Sequence, residues 1–453
     1  FNNIFRIYNK PISKKDLNLT NKLKAYTSDG RVMLMKYPFG RLLWPVTVNA
    51  EKQMVEGAYY SATRQGKHIA WTYDAIDNGW NNYAFEKFKL WNIRFFIRTW
   101  AMGSHYADFI DQLSKRGFSP IAGAYDNGFY YNKKASQYIV PLKKKVLIIG
   151  KYAPIASALI DSSIQAGSIY VDDYDLKTLK LFDELVLYGF SYRNKHDAQK
   201  LVKEYVKSGG KVIVDLMGYK SPLEKNPSFL GVTSYPNVSK KEISLNTTSD
   251  GEIKNEIIPN NFKIPSIYSD VEKTKFKEWR FVTYFGLDKA LATTNRDFAN
   301  AVIGYKNVYG KKVWFLGPNF FYHTFASHNP KQMQFLNKLI SANKTNQKSD
   351  YKIYDESIKS EIIRFKYNSS SNLPLFASFA YSPHWKAYLN GKPIEVVNLE
   401  GLIFLNLPAG SNKVEIKYEN TPVHFYGKLL SVLTLLFIGF LLYNEKNNNI
   451  LYG

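Results

Sequence analysis

Cysteine is absent from all 453 residues, and that absence excludes disulfides, thiolate metal centres and a cysteine nucleophile. Acidic residues are in short supply, 38 against 61 Lys and Arg, giving a formal charge of +23. Such an excess raises the question of nucleic acid or an acidic polymer as partner. The lysines are scattered through every region, however, with only short runs such as Lys143-Lys144-Lys145, which reads as a solvated basic surface. RNP-type, zinc-finger and helix-turn-helix patterns are missing. So are the phosphate-loop and dinucleotide fingerprints, since the glycine after "VLII" opens "GKYAPIAS". No nucleic-acid partner, metal or cofactor is expected.

Aromatic residues, by contrast, make up 16% of the chain, with 34 Tyr and 30 Phe. That richness suits cores with a wet edge, interfaces and sugar-stacking surfaces. Charged residues at 22% and hydrophobic ones at 45% are ordinary globular usage, and the length calls for several domains. The first residue is Phe1 rather than Met, and "FNNIFRIYNKPISKK" has no apolar core of signal-peptide length. The chain is therefore read as a piece of a longer protein.

Periodicity divides it into five parts. Residues 1–140 form an N-terminal α+β module: Ile93, Phe95 and Ile97 alternate through a strand, and Tyr106, Phe109, Ile110 and Leu113 recur at helical spacing before Gly117. Residues 141–347 alternate apolar strands ("KKKVLII", "FDELVLYGF", "KVIVDLMG", "KKVWFLG") with helices such as "KHDAQKLVKEYVKSGG", the pattern of a doubly wound α/β sheet. Residues 348–423 lose helical spacing, and short strands separated by turns predict an antiparallel β-sandwich. The Asn390-Gly391 pair marks a hairpin inside it. Residues 424–444 contain "FYGKLLSVLTLLFIGFLLY", apolar except for Lys428, Ser431 and Thr434, and a transmembrane helix is expected there. Residues 445–453 are a short tail without the charge bias that would orient that helix.

The segment "YSPHWKAYLNGKPIEVVNLEGLIFLNLPAGSNKVEIKY", followed by the apolar stretch, resembles the C-terminal end of YfhO-like bacterial membrane proteins and their relatives labelled 6-pyruvoyl-tetrahydropterin synthase-related. Trp385, Gly391, Gly401, Pro408, Ala409, Gly410, Val414 and Tyr418 stand at the matching places. "KLWNIRFFI", "LSKRGF", "GFYYNKK" and "VWFLGPNFFYHTF" resemble that family further upstream. The resemblance implies a polytopic membrane protein with a lipid-phosphate-sugar-dependent glycosyltransferase fold, whose catalytic acid lies on an early loop that this sequence does not include. It thus implies no catalytic residue here. The middle domain resembles the class I glutamine amidotransferase-like fold, in degenerate form: with no Cys at the elbow, the scaffold comes without the chemistry.

Three clusters remain as candidates. Asp172, Asp173 and Asp175 in "VDDYD" invite comparison with a metal-binding Asp-x-Asp, and equally suit helix capping. Asn319, Tyr322, His323 and His328 follow a strand, where open α/β sheets bind ligands; a His pair five apart lacks the third ligand of a zinc site. Trp71, Trp80, Trp91 and Trp100 surround Asp74 and Asp77, and rings beside carboxylates suit sugar stacking with hydroxyl bonding. The candidate ligand-binding residues are accordingly Trp80, Asp77, Asn319, Tyr322 and His323.

The expected function is that of the extracytoplasmic region of a glycosyltransferase-like membrane protein, at the cell membrane, binding or presenting a glycan or anionic cell-envelope polymer. Its expected partners are membrane lipid and the missing N-terminal transmembrane region. A non-catalytic membrane-tethered binding or assembly module is the alternative. A glycoside-processing enzyme acting through Asp74 or Asp77 is the third reading.

Overall fold

The computed structural model describes residues 14–26, 30–35, 50, 53–54, 64–98, 106–121, 128–133, 138–142, 146–161, 163–217, 226–239, 243–247, 261–262, 279–294, 301–340, 350–359, 361–419, 426–427 and 429–439. Two compact units divide the chain. One comprises Phe1–Asn346 with Leu375–Ala380 and Asn398–Leu402; the other comprises Gln347–Pro374, Tyr381–Val397 and Ile403–Gly453.

The larger unit opens with α1 (Lys14–Lys24), β1 (Arg31–Met35), β2 (Gln53–Met54), α2 (Arg64–Asp77), α3 (Asn81–Leu90), β3 (Ile93–Arg98), α4 (Tyr106–Lys115), β4 (Phe118–Pro120) and β5 (Phe129–Asn132). These build a mixed sheet of order β2-β1-β3-β5-β4, parallel at β1 and antiparallel at β5. Val32, Leu34, Phe95, Ile97 and Phe129 bury one face of it with Leu19 and Leu23 of α1.

After β6 (Ile139–Pro141) come β7 (Val146–Ile149), α5 (Ala153–Leu159), β8 (Ser163–Gln165), α6 (Leu176–Leu179), β9 (Glu184–Tyr188), α7 (Lys195–Lys207) and β10 (Lys211–Asp215). Helix α7 shows how its sequence dictates it. Asn194 accepts the His196 and Asp197 amides, Ala198, Val202, Tyr205 and Val206 bury one stripe, and Gly209 at φ 105° follows the end. The chain continues through β11 (Ser228–Phe229), β12 (Val232–Ser239), β13 (Ile243–Thr247), β14 (Asn261–Phe262), β15 (Trp279–Phe285), β16 (Lys289–Thr294), β17 (Ala301–Val308), β18 (Lys311–Leu316), α8 (Phe320–Ser327) and α9 (Pro330–Leu339).

The fold class differs from the sequence expectation in three respects. First, the central sheet is not a doubly wound parallel sheet. Its path is β11-β12-β15-β17-β18-β10-β9-β7-β8; the run β18-β10-β9-β7-β8 is parallel, whereas β12, β15, β16 and β17 pair antiparallel. The fully apolar strands that alternate with helices announced only the parallel half. Second, the C-terminal strands do not make a self-contained sandwich. β19 (Tyr351–Lys359), β20 (Ile362–Ser369), β22 (Trp385–Leu389), β23 (Lys392–Ile394) and β26 (Gly410–Tyr418) form one antiparallel sheet of order β19-β20-β26-β22-β23. β21 (Leu373–Ala380) lies in a second sheet with β24 (Val397–Leu399) and β25 (Leu402–Leu407), of order β24-β25-β21-β6, in which Leu375–Ala377 pair with β6, far back in the sequence. Third, among the described residues no helix is long and apolar enough to cross a membrane. Residues 426–427 and 429–439 are helical, and residues 425, 428 and 440–443 of the apolar stretch lie outside the described ones.

Asn390 and Gly391 form the two-residue turn between β22 and β23, at φ 50° and 82°, as a type I′ hairpin demands. The Asn390 amide donates to the Lys413 carbonyl at 2.9 Å, and its side-chain Oδ1 accepts the Lys413 amide at 2.9 Å. A second turn of this kind has a harder residue in it. Glu400 adopts φ 56° ahead of Gly401, between β24 (Val397–Leu399) and β25 (Leu402–Leu407). Glu400 belongs to the larger unit, where its Oε2 meets Lys87 Nζ at 2.5 Å and its Oε1 accepts the Gln165 amide at 2.7 Å. Gln165 Nε2 donates to Tyr83 Oη at 2.8 Å, and the Lys87 ammonium lies 4.9 Å from the Tyr83 ring centre. All four side chains are buried.

Removing one partner of such a pair strands a charge in the core, at a cost of about 3–5 kcal/mol. Urea titration of Lys87→Met and Glu400→Leu should show losses of that order for each single variant, with a smaller loss in the double variant than their sum. Additive losses would mean that the two charges do not sustain one another.

Candidate functional site

In the parallel run the chain moves outward from β7 to β8 and returns to β9 on the other side of β7, so the strand order reverses between β7 and β9. Open α/β sheets bind ligands in the crevice outside the strand ends at that point. Here the crevice is closed. The Lys151 amide donates to the Gly189 carbonyl at 2.9 Å and the Tyr152 amide to the Tyr188 carbonyl at 3.4 Å. The Tyr152 ring then covers Gly189 so closely that an added Cβ would come within 2.4 Å of its Cδ2. On Gly150 a Cβ would sit 2.0 Å from the Tyr188 carbonyl oxygen.

The next positions along the same rim are polar. Asp215 ends β10 level with Tyr188 on β9. It is 0% exposed, with Oδ1 accepting the Met217 amide at 2.8 Å. Burial pushes its carboxyl up to about 8, and the Met217 hydrogen bond offsets this only in part. Burial, and then the Asp215 charge, likewise raise the Tyr284 phenol, whose oxygen accepts the Leu216 amide at 3.2 Å. Beyond β18, Asn319 holds the left-handed conformation at φ 54°, ψ 49° and accepts a hydrogen bond from the Tyr188 hydroxyl at 2.7 Å.

The residues singled out by sequence reach several different places. Tyr322 and His323 are buried on α8; His323 Nδ1 lies 2.8 Å from Gln332 Oε1 of α9, so that nitrogen carries its proton. Asn319 alone of the α8 group reaches the rim. Trp80 is committed to packing: its ring stacks on His328 at 4.3 Å and 9° and on Phe325 at 5.7 Å and 18°, while Nε1–H donates to the Phe325 carbonyl at 2.9 Å. His328 Nε2 in turn donates to the Asn78 carbonyl at 2.6 Å. A ring covered in this way offers no open platform for a sugar. Asp77 ends α2 half-buried, and Asp74 is only 3% exposed, which removes it from any cleft where a carboxylate pair could flank a glycosidic bond. Trp71 and Trp91 are buried, and Trp100 lies outside the described residues.

The acidic cluster is structural. Asp172 accepts the Arg193 and Asn194 amides at 2.9 and 2.6 Å, Asp173 pairs with the Arg193 guanidinium at 2.6 Å, and Asp175 caps α6 through the Thr178 amide at 2.7 Å. Among the described residues no group of three His, Asp or Glu side chains could hold a metal ion.

An exposed aromatic face lies on the antiparallel half of the sheet, within a stretch whose sequence periodicity is weak. Tyr235 of β12 is 41% exposed and Phe285 of β15 is 72% exposed. The register pairs Thr233 with Phe285 and Tyr235 with Thr283, so the two rings are diagonal neighbours on one side of adjacent strands. Asn237 lies on that side too, its Nδ2 donating to Thr283 Oγ1 at 3.1 Å.

The raised Asp215 pKa makes a pH prediction. A buried acid whose folded pKa exceeds its unfolded value of about 4 contributes stability that is fully present below that value and is lost as pH rises toward 8. The Tyr284 phenol beside it, raised by burial and then by the Asp215 charge, remains protonated in that window. Asp215→Asn should therefore flatten the urea midpoint between pH 5 and 8, gaining on the order of 1–3 kcal/mol over the wild type at the upper end. An unchanged slope would show that Asp215 does not titrate there.

Comparisons with known proteins add the following. Residues 145–323, from the start of the parallel run to His323, are similar to the family described as Domain of unknown function (DUF8560). No curated protein matches the chain. Among solved structures, alpha-L-fucosidase isoenzyme 2 from Paenibacillus thiaminolyticus is 12% identical at a TM-score of 0.29, over 76% of this chain and 58% of that one. Beta-galactosidase from Bacillus circulans sp. alkalophilus is 10% identical at 0.26, over 61% and 42%. The chain thus spans little more than half the length of the first and less of the second, and neither likeness bears on its chemistry.

Proposed function

We propose that this chain binds a glycan without transforming it, as the extracytoplasmic recognition part of a larger glycosyltransferase-like protein. The observation that carries the reading is the face of Tyr235 and Phe285. Two rings standing in solvent on adjacent strands cost free energy unless something covers them, and a pyranose ring can do so with its C–H face while its hydroxyls reach the polar groups beside it. Thr233 and Asn237 alternate with Tyr235 along the same side of β12, so hydroxyl and amide groups flank the rings. The resemblance of "HWKAYLNGKPIEVV" and the strands after it to YfhO-like proteins supports the larger setting, with glycan transfer performed by parts outside this sequence.

Calorimetry with soluble oligosaccharides of glucose, galactose and N-acetylglucosamine tests this directly. Wild-type protein should bind at least one series saturably and release no reducing sugar from it. Loss of each ring should weaken binding by up to about tenfold, since an aromatic stacking contact is worth roughly 0.5–1.5 kcal/mol. Equal binding by Tyr235→Ala/Phe285→Ala, or turnover of the bound glycan, would overturn the proposal.

A further inference from the structure

Two hairpins of this chain turn through a pair of residues with left-handed backbone. Between β22 and β23 the pair is Asn390-Gly391, at φ 50° and 82°. Between β17 and β18 it is Tyr309-Gly310, at φ 49° and 73°, with Val308 paired to Lys311 across the turn. Asn tolerates that backbone through its short polar side chain, whereas a bulky aromatic residue is strained in it. Burial does not offset the strain, since Tyr309 is 62% exposed. A ring held out in solvent, at a turn that Asn fills more easily, points to a contact with something outside the chain.

The surface beside the ring is basic. The Lys207 ammonium lies 5.7 Å from the Tyr309 ring centre, which ties the tip of the hairpin to the last turn of α7. Along that helix Lys200, Lys203 and Lys207 are exposed and recur at helical spacing opposite the buried stripe of Ala198, Val202, Tyr205 and Val206, in a row about 10 Å long. The exposed acids of α7, Asp197 and Glu204, sit about a quarter of a turn to one side of it. Past the ring, the exposed Lys311 and Lys312 prolong the row. Asp288, which accepts the Asn307 amide at 2.7 Å, is neutralised by Lys306 at 2.5 Å.

We propose that Lys200, Lys203, Lys207, Tyr309, Lys311 and Lys312 form a docking track for an acidic polysaccharide, whose carboxylates meet the lysines while one sugar ring lies against Tyr309. A line of hydrated point charges fits a single anionic strand, and the C–H face of a sugar covers an exposed phenol ring. Nucleic-acid surfaces draw on arginine and on several stacked rings; this row is built of lysine with one ring. The track is separate from the face of Tyr235 and Phe285. Ala301 opens β17 beside Tyr284, and Tyr309 follows the far end of that strand, about 25 Å away. Each surface stands without the other.

The test is calorimetric titration of the whole chain with polygalacturonate, and with oligodeoxythymidine as a rival polyanion. Wild type should bind polygalacturonate saturably, more weakly as salt rises, and should bind the oligonucleotide less well. Tyr235→Ala/Phe285→Ala should leave this binding unchanged. Lys203→Gln/Lys207→Gln/Lys311→Gln alters only exposed side chains and should bind about five- to tenfold more weakly, with a shallower salt dependence. Tyr309→Asn installs the residue that the other hairpin carries, so it should melt no lower than wild type while binding about threefold more weakly. Wild-type affinity in both track variants, binding indifferent to salt, or tighter binding of the oligonucleotide would overturn the proposal.

Discussion

The buried contact between Lys87 and Glu400 is the constraint on which the larger unit depends. It joins a helix near the start of the chain to a turn near its end, 313 residues apart, in a place where neither charge can be hydrated. Glu400 must leave the common backbone regions to get there, at φ 56°, where Gly, Asn or Asp would sit more easily. The turn tolerates that strain because the carboxylate is doubly held, by the ammonium and by the Gln165 amide. Its backbone joins in: the Glu400 amide donates to the Gln165 carbonyl at 2.7 Å, and the Gly167 amide to the Asn398 carbonyl at 3.2 Å. Residues 398–400 thereby cover the β8 end of the twelve-stranded sheet, an edge that would otherwise present open backbone groups.

With that edge covered and the β7/β9 crevice filled by Tyr152, the usual ligand position of a parallel sheet is out of use. Polar chemistry is displaced one strand along, to Asp215 and Asn319, and exposed aromatic area is displaced onto the antiparallel half. Both features answer the same geometric fact. A sheet that changes from parallel to antiparallel at β18 needs crossover helices only along its parallel run, and the two exposed rings stand on the antiparallel part.

How much of this was legible in the sequence varies with the local pattern. The parallel strands were plain, because four apolar residues such as Val146–Ile149 between a basic run and a glycine have few alternatives. The hairpin at Asn390-Gly391 was equally plain, since its turn requires those residue types. The Glu400 contact could not be read, because Lys87 and Glu400 each look like solvated surface residues and only the folded chain joins them. Trp80 was misjudged for a related reason: Asp, Asn and Gly around it suggested exposure, whereas the corner they form presses the ring against His328. Asp215 carried a signal, a lone acid closing the apolar run "KVIV", that was passed over. Tyr235 and Phe285 carried almost none, as alternation in β12 is interrupted by Pro236 and both faces of the strand hold exposed residues.

Tyr235 and Phe285 form the surface against which a glycan is proposed to lie. A crystal structure of the protein grown with the oligosaccharide it binds best tests it most directly. Density for a sugar ring stacked on Tyr235 or Phe285, with hydroxyls toward Thr233 and Asn237, is the predicted result. Sugar density at Trp80 or elsewhere, with those two rings bare, would contradict it.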